Sequence, residues 1–211
     1  MIWAAGLVLS GAGFAAVYGL RFCVARRSSA ARSLVKTLAV GLLALAAPHL
    51  GAAATIALGL GLGAAGDFFL SRRGEASFLA GMAAFVAGHI AYAVAFRHAG
   101  AGLPGAIPLV ALFALAASTE VWLAPHTGRL LWPVRGYVLV ILAMAAAALG
   151  LPPGYGTVKL GAALFVLSDL VLAIDLFRFG PERPDPWRAR LLWAAYWLGQ
   201  LLILLGMAGR P

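Results

Sequence analysis

Charge is what this 211-residue chain has least of. Only 11% of its residues are Asp, Glu, Lys or Arg, 63% are hydrophobic, and the mean hydropathy is +0.95. Soluble domains carry about 25% charged and about 45–50% apolar residues, so the composition excludes an ordinary soluble protein and predicts a polytopic membrane protein. Acid is scarcer than base: seven Asp and Glu face sixteen Lys and Arg, for a net charge of +9. The excess base falls between apolar runs rather than on one face. That argues against a nucleic-acid partner and for topology signals and contacts with membrane lipids. A single cysteine, Cys23, excludes an internal disulfide and a cysteine-based metal cluster, and reads as a small apolar residue at a helix end. Met1–Leu20 lacks the basic start of a signal peptide, its arginines following the apolar run, so a retained first span is expected. No loop offers room for a soluble domain. One domain over 1–211 is expected, with any activity inside the bundle.

Breaks at charges, prolines and glycines leave eight apolar segments, at about 2–22, 33–47, 50–70, 77–96, 105–123, 134–151, 157–178 and 189–208. Most approach the length of about 20 residues that crosses a hydrocarbon core; the second is short and is expected to stop at Pro48. With eight spans and the N-terminus outside, thirteen basic residues fall on the inner side: Arg21, Arg26, Arg27, Arg32, Lys36, Arg72, Arg73, Arg129, Arg135, Arg178, Arg183, Arg188 and Arg190. Three remain outside, Arg97, Lys159 and Arg210. This asymmetry separates segments two and three at Pro48-His49-Leu50-Gly51, because fusing them scrambles it. The expected fold is an all-α membrane protein, a bundle of eight transmembrane helices with both termini on the outer side. A bacterial inner or plasma membrane is its expected location. The extended inner loops are 25–31 and 180–187, the latter with Pro181, Pro184 and Pro186. Glycines such as Gly59, Gly61 and Gly63 read as close-packing sites, since they lack the strand-to-helix setting and the Lys-Ser/Thr of a phosphate loop.

A few polar residues stand inside these runs. Asp169 lies well within Val158–Phe179, where an uncompensated acid costs about 2.5–3.5 kcal/mol and therefore marks a functional site by default. The rise per residue places Asp67, Lys36, Tyr137 and Ser168-Asp169 in the inner-leaflet half, with His89 near the middle and Tyr92 one turn on. Tyr196 and Gln200 share a face at i, i+4. Structural readings stand beside the functional ones. Asp67 is also explained by pairing with Arg72 or Arg73, Asp169 by a buried pair with Lys36, and His89 as a hydrogen-bonded core histidine. Asp175 is expected to pair with Arg178 one turn later, Glu120 to mark the interface, and Lys159 to snorkel. His49 and His98 fall at outer ends and His126 in an inner loop, so no zinc site is expected.

These residues resemble the YhhN family, whose eukaryotic members are lysoplasmalogenases. The matching features are Lys36, Gly66-Asp67-x-x-Leu70, Gly81-Met82-Ala83-Ala84-Phe85-x-x-Gly88-His89-x-x-Tyr92, Tyr137 and Met144. They continue with Gly161-Ala162-Ala163-Leu164-Phe165-x-x-Ser168-Asp169-x-x-Leu172-Ala173 and close with Tyr196-x-x-x-Gln200. The resemblance implies hydrolysis of the vinyl ether of a lysoplasmalogen, giving a fatty aldehyde and a glycerophospho-ethanolamine or -choline, without cofactor, metal or obligatory protein partner. Under it, Asp169 is expected to be the general acid and Asp67 the carboxylate that orients water, with His89 able to exchange with either. Lys36 and nearby arginines are expected to hold the phosphate, and Tyr92, Tyr137, Ser168, Tyr196 and Gln200 to support the site. Two other readings stay open: a lipid-binding or transport protein without hydrolysis, and a metal-dependent hydrolase using Ser168, Asp169 and His89.

Overall fold

The computed structural model describes residues 2–24, 29–180 and 185–210. Within them eight α-helices follow in order: α1 (Ile2–Val17), α2 (Ala30–His49), α3 (Ala54–Leu70), α4 (Glu75–His98), α5 (Ala106–Trp122), α6 (Leu131–Leu149), α7 (Gly156–Ile174) and α8 (Pro186–Met207). Widened π-type turns, Tyr18–Phe22 and Asp175–Phe179, extend α1 and α7, and two short 3₁₀ turns join α5 to α6. No strand occurs among the described residues. Each predicted segment corresponds to one helix. Residues 25–28 and 181–184, expected in inner loops and including Arg26, Arg27, Arg183, Pro181 and Pro184, lie outside the described residues.

Seven of the helical runs are long and apolar enough to cross a membrane, and the chain is a multi-pass integral membrane protein. The short helix is α3, with 17 residues, and not α2, which has 20. Local chemistry explains this correction. Ser29 caps α2 by accepting the Arg32 N–H at 3.1 Å, so the helix starts three residues before its apolar run. At the other end Pro48 falls in the last turn, where it forfeits a single bond to the Ala44 carbonyl without ending the helix, which continues to His49. Gly51 then takes a φ of 69°, and the Ala52 N–H returns to the Ala47 carbonyl in a Schellman-type closure. Residues 50–53 are consumed by this turn, which shortens α3.

Packing runs around a ring. α2, α3, α4, α6, α7 and α8 each contact the next, and α8 returns to α2 and α3, while α1 lies outside on α2 and α5 outside on α6. Glycines set the closest approaches. A Cβ on Gly161 would stand 2.9 Å from the Gly199 carbonyl oxygen, and one on Gly199 equally close to that of Gly161, so α7 and α8 touch backbone to backbone. Two indoles pin α8: Trp193 donates to the Ala15 carbonyl and Trp197 to that of Ala39, each at 2.9 Å. One end of the bundle gathers the α2 start and α3 end, joined by Ser71 to Ser33 at 2.7 Å. The π turn of α7 meets the start of α8 there, through Arg188 and Asp175. At the opposite end Gly102 bonds to Gly150 and Gly209 to Leu50, each at 3.0 Å.

Candidate active site

Seven of the nine candidate site residues come from α4, α6, α7 and α8, and the remaining two, Lys36 and Asp67, from α2 and α3. They form two hydrogen-bonded groups. The first joins α4, α6 and α7. The Tyr137 hydroxyl donates to Asp169 Oδ2 at 2.7 Å, and His89 Nε2 lies 3.2 Å from the Tyr137 oxygen and 3.6 Å from Asp169 Oδ2. With the phenol proton given to Asp169, His89 Nε2 must carry the ring proton and donate to Tyr137. Reversing every donor, so that a protonated Asp169 gives to Tyr137 and Tyr137 to a bare Nε2, keeps the same contacts. The trio therefore has two hydrogen-bond settings that fit the same distances. His89 is only 1% exposed and its Nδ1 is buried without a partner among the described residues.

The second group joins α2, α3, α4 and α8. Lys36 Nζ stands 2.9 Å from Asp67 Oδ1, the Tyr196 hydroxyl donates to Asp67 Oδ2 at 2.8 Å, and Gln200 Nε2 reaches Tyr196 at 3.4 Å. Tyr92 closes the chain by donating to Gln200 Oε1. Asp67 is 1% exposed, so its carboxylate depends on these partners. Small residues create the space: a Cβ on Gly63 would stand 2.7 Å from Gln200 Nε2, and one on Gly59 2.5 Å from the Tyr92 ring.

Between the groups stands an aromatic layer. Phe165 is edge-on to His89 on one side, with centroids 4.7 Å apart, and to Tyr196 on the other at 5.4 Å; Phe85 contacts both Phe165 and Tyr196. A cleft of about 790 Å³, counted out to its open mouth, lies on the Asp169 side. Phe78, Met82, Phe85, Leu115, Ile141 and Val166 are among its walls, and among the described residues Asp169 is its only charged lining residue, beside Tyr137 and Thr119. An apolar slot ending on one acid suits a hydrocarbon chain with a reactive group at its polar end.

The sequence expectations meet this geometry unevenly. Asp67 and Asp169 do not share one site: Asp67 is absent from the cleft wall and lies behind Phe85 and Phe165. It pairs with Lys36, not with Arg72 or Arg73, and this takes Lys36 away from both Asp169 and a phosphate. His89 and Tyr92 sit on one helix yet join different groups. Ser168 donates to the Phe165 carbonyl of its own helix at 2.7 Å and is not brought to either acid. Asp175 pairs with Arg188 from the next helix, not with Arg178, because the π turn of α7 brings it against the start of α8. Glu120 pairs with Arg135 across α5 and α6. Among the described residues no three His, Cys, Asp or Glu side chains converge as metal ligands. Sequence reasoning missed the wall that α5 gives the cleft, since its apolar face has no polar marker. It also missed the partition by Phe165, whose neighbours come from distant segments.

The chain is similar to lysoplasmalogenases of mammals and mycobacteria. The lysoplasmalogenase TMEM86A of Bos taurus is 33% identical over 162 residues, covering 72% of this chain and 65% of the relative. The lysoplasmalogenase TMEM86B of Homo sapiens is 34% identical over 136 residues, 64% of this chain and 56% of the relative. A lysoplasmalogenase of Mycobacterium bovis is 30% identical over 138 residues, 62% of this chain and 51% of the relative. The chain thus spans less than two thirds of the length of each of these relatives. No solved structure matches it significantly. The YhhN family profile matches residues 31–207, from the first turn of α2 to the last residue of α8, and so takes in both polar groups and the cleft: the chain belongs to the YhhN family.

Proposed function

We propose that this protein is a lysoplasmalogenase-like hydrolase that cleaves the vinyl ether of an alkenyl lysophospholipid. The observation that carries the reading is the cleft itself, an apolar slot whose one charged wall residue, among those described, is the Asp169 of a relay with Tyr137 and His89. The similarity to lysoplasmalogenases of mammals and mycobacteria supports the same chemistry.

In the proposed mechanism the alkenyl chain lies in the slot with its double bond at Asp169. The protonated carboxyl delivers its proton to the β-carbon, and the ether oxygen shares its electron pair to form an oxocarbenium ion, which the resulting carboxylate stabilises. Water adds to the cationic carbon and gives up a proton, which returns to Asp169, directly or through His89 and Tyr137. The hemiacetal then breaks its bond to the glycerol oxygen, releasing aldehyde and alcohol. One water is consumed and the enzyme regains its proton. Asp67 is assigned here as a positioning residue. With Lys36 it fixes Tyr196, which backs Phe165 and so His89; the alternative, that Asp67 orients the water, requires the aromatic layer to part. Tyr92 and Gln200 extend the same support.

The whole chain 1–211 is proposed to act as one domain of eight spans, with α3 buried enough among its neighbours to cross despite its length. The Arg-rich end is proposed to face the cytoplasm, and both termini the outer side. The decisive experiment incubates purified protein with 1-alkenyl-glycerophosphoethanolamine and measures fatty aldehyde. Wild type should release it, and Asp169→Asn should lower the rate by about 10²- to 10⁴-fold. Lipid binding without aldehyde would instead mark a carrier.

A further inference from the structure

Beside one end of the cleft stands an arginine that has no carboxylate partner among the described residues. Trp122 and Leu123 at the end of α5, and Leu176 and Phe177 in the π turn of α7, are the lining residues at the end of these two helices. Arg178 follows directly in the chain and reaches the Trp122 end of α5. Its Nη1 lies 3.4 Å from the Trp122 carbonyl oxygen and 3.0 Å from His126 Nε2. Asp175, three residues before it, is engaged by Arg188, and Glu120 on the neighbouring α5 by Arg135; Glu182 lies outside the described residues. Among the described residues Arg178 has no carboxylate partner. Arg129, three residues beyond His126 on the same connection, is exposed and likewise makes no described ion pair.

We infer that Arg178, backed by His126, is the seat for the phosphate of a lysophospholipid whose chain fills the cleft. This rests on the hydrolase reading above for the identity of the chain. Two nitrogen groups 3.0 Å apart with no acid between them stay in contact only if the imidazole accepts with a lone pair. With the imidazole accepting from one guanidinium N–H, other N–H donors of Arg178 remain for a phosphate oxygen. The guanidinium fork is suited to a phosphate because it donates two parallel hydrogen bonds. The separation also fits. Arg178 lies nine residues after Asp169, about 13 Å along a regular helix and less through a π turn. A long arginine side chain and the glycerophosphate of the lipid together span that gap. Lys36, bound to Asp67, is not available for the same task.

The test compares 1-alkenyl-glycerophosphoethanolamine with the 1-alkenylglycerol of the same chain, using purified full-length protein in detergent. Arg178→Gln should raise KM for the phosphorylated substrate about tenfold or more, with kcat little changed and a far smaller effect on the alkenylglycerol. Arg178→Lys should recover part of the loss, and Arg210→Gln, at the opposite end, should alter neither substrate. An equal loss on both substrates, or an unchanged KM, overturns the subsite. So does an Arg178→Gln variant that weakens only association with phosphatidylglycerol nanodiscs, which makes Arg178 a general lipid contact. If wild type cleaves neither substrate, binding of the non-cleavable 1-alkyl lysolipid separates the two ideas. Binding that weakens about tenfold in Arg178→Gln keeps the subsite while the hydrolase reading fails, and equal binding overturns the subsite.

Discussion

Replacing Asp67 by Asn removes one charge from a buried pair and leaves Lys36 without its partner at 2.9 Å. Breaking such a pair costs about 3–5 kcal/mol, whereas replacing both partners by apolar groups of similar size is often close to neutral. Asp67→Asn is therefore expected to lower the thermal midpoint in detergent and to lose activity. The double variant Lys36→Met/Asp67→Leu should regain most of the stability and part of the activity. A stable double variant with no activity would instead make Asp67 a reacting group. Tyr137→Phe tests the relay differently. It removes the hydroxyl that bridges His89 and Asp169, so turnover should fall about tenfold to a hundredfold while the fold is kept. Single-turnover aldehyde release, with thermal unfolding of the same sample, distinguishes the two variants.

At the scale of elements, α8 starts on an acid and packs on a glycine. Asp185 Oδ1 accepts the Trp187 and Arg188 N–H groups at 2.7 and 3.1 Å, with Pro186 in the first helical position. The Arg188 N–H, and then that of Trp187, hold the Asp185 carboxyl below its ordinary value. Because the folded value is the lower one, the stabilisation is fully present above the unfolded value near 3.9 and disappears as pH falls through the folded value. The stability gap between wild type and Asp185→Ala should accordingly be open at neutral pH and close in acid, as read from thermal midpoints. Gly161→Ala acts at the other contact. Its Cβ would meet the Gly199 oxygen and the Ile203 nitrogen at 2.9 Å, both backbone atoms that cannot rotate away. Separating α7 from α8 should cost about 1–3 kcal/mol and displace Asp169 relative to the cleft, which the aldehyde assay reads. The eight elements were legible in the apolar runs because each helix must shed its polar residues into turns. The lengths of α2 and α3 were not, since a Ser cap and a glycine turn moved both boundaries.

Across the whole molecule, the proposed orientation is checked by cysteine labelling in a Cys23→Ser background. Arg129→Cys should react only once the cytoplasmic face is opened, and Gly154→Cys should react from outside in intact cells; the reverse pattern would invert the topology. The sequence by itself determined the membrane class, the number of helices and the identity of the polar residues. Buried polarity is costly in an apolar run and so stands out in a one-dimensional reading. It also led to the expectation that Asp67, Lys36, Tyr137 and Asp169 lie in the inner-leaflet half, with His89 near the middle. Depth follows from rise per residue, but azimuth does not. Only the ring of α2, α3, α4, α6, α7 and α8 decided that Phe85 and Phe165 part the acids into two groups, that Lys36 serves Asp67, and that Arg178 reaches the Trp122 end of α5. Those pairings depend on which helix lies beside which and on its rotation, and these are set by where glycines let backbones touch and where indoles and aromatic rings fill the space between them.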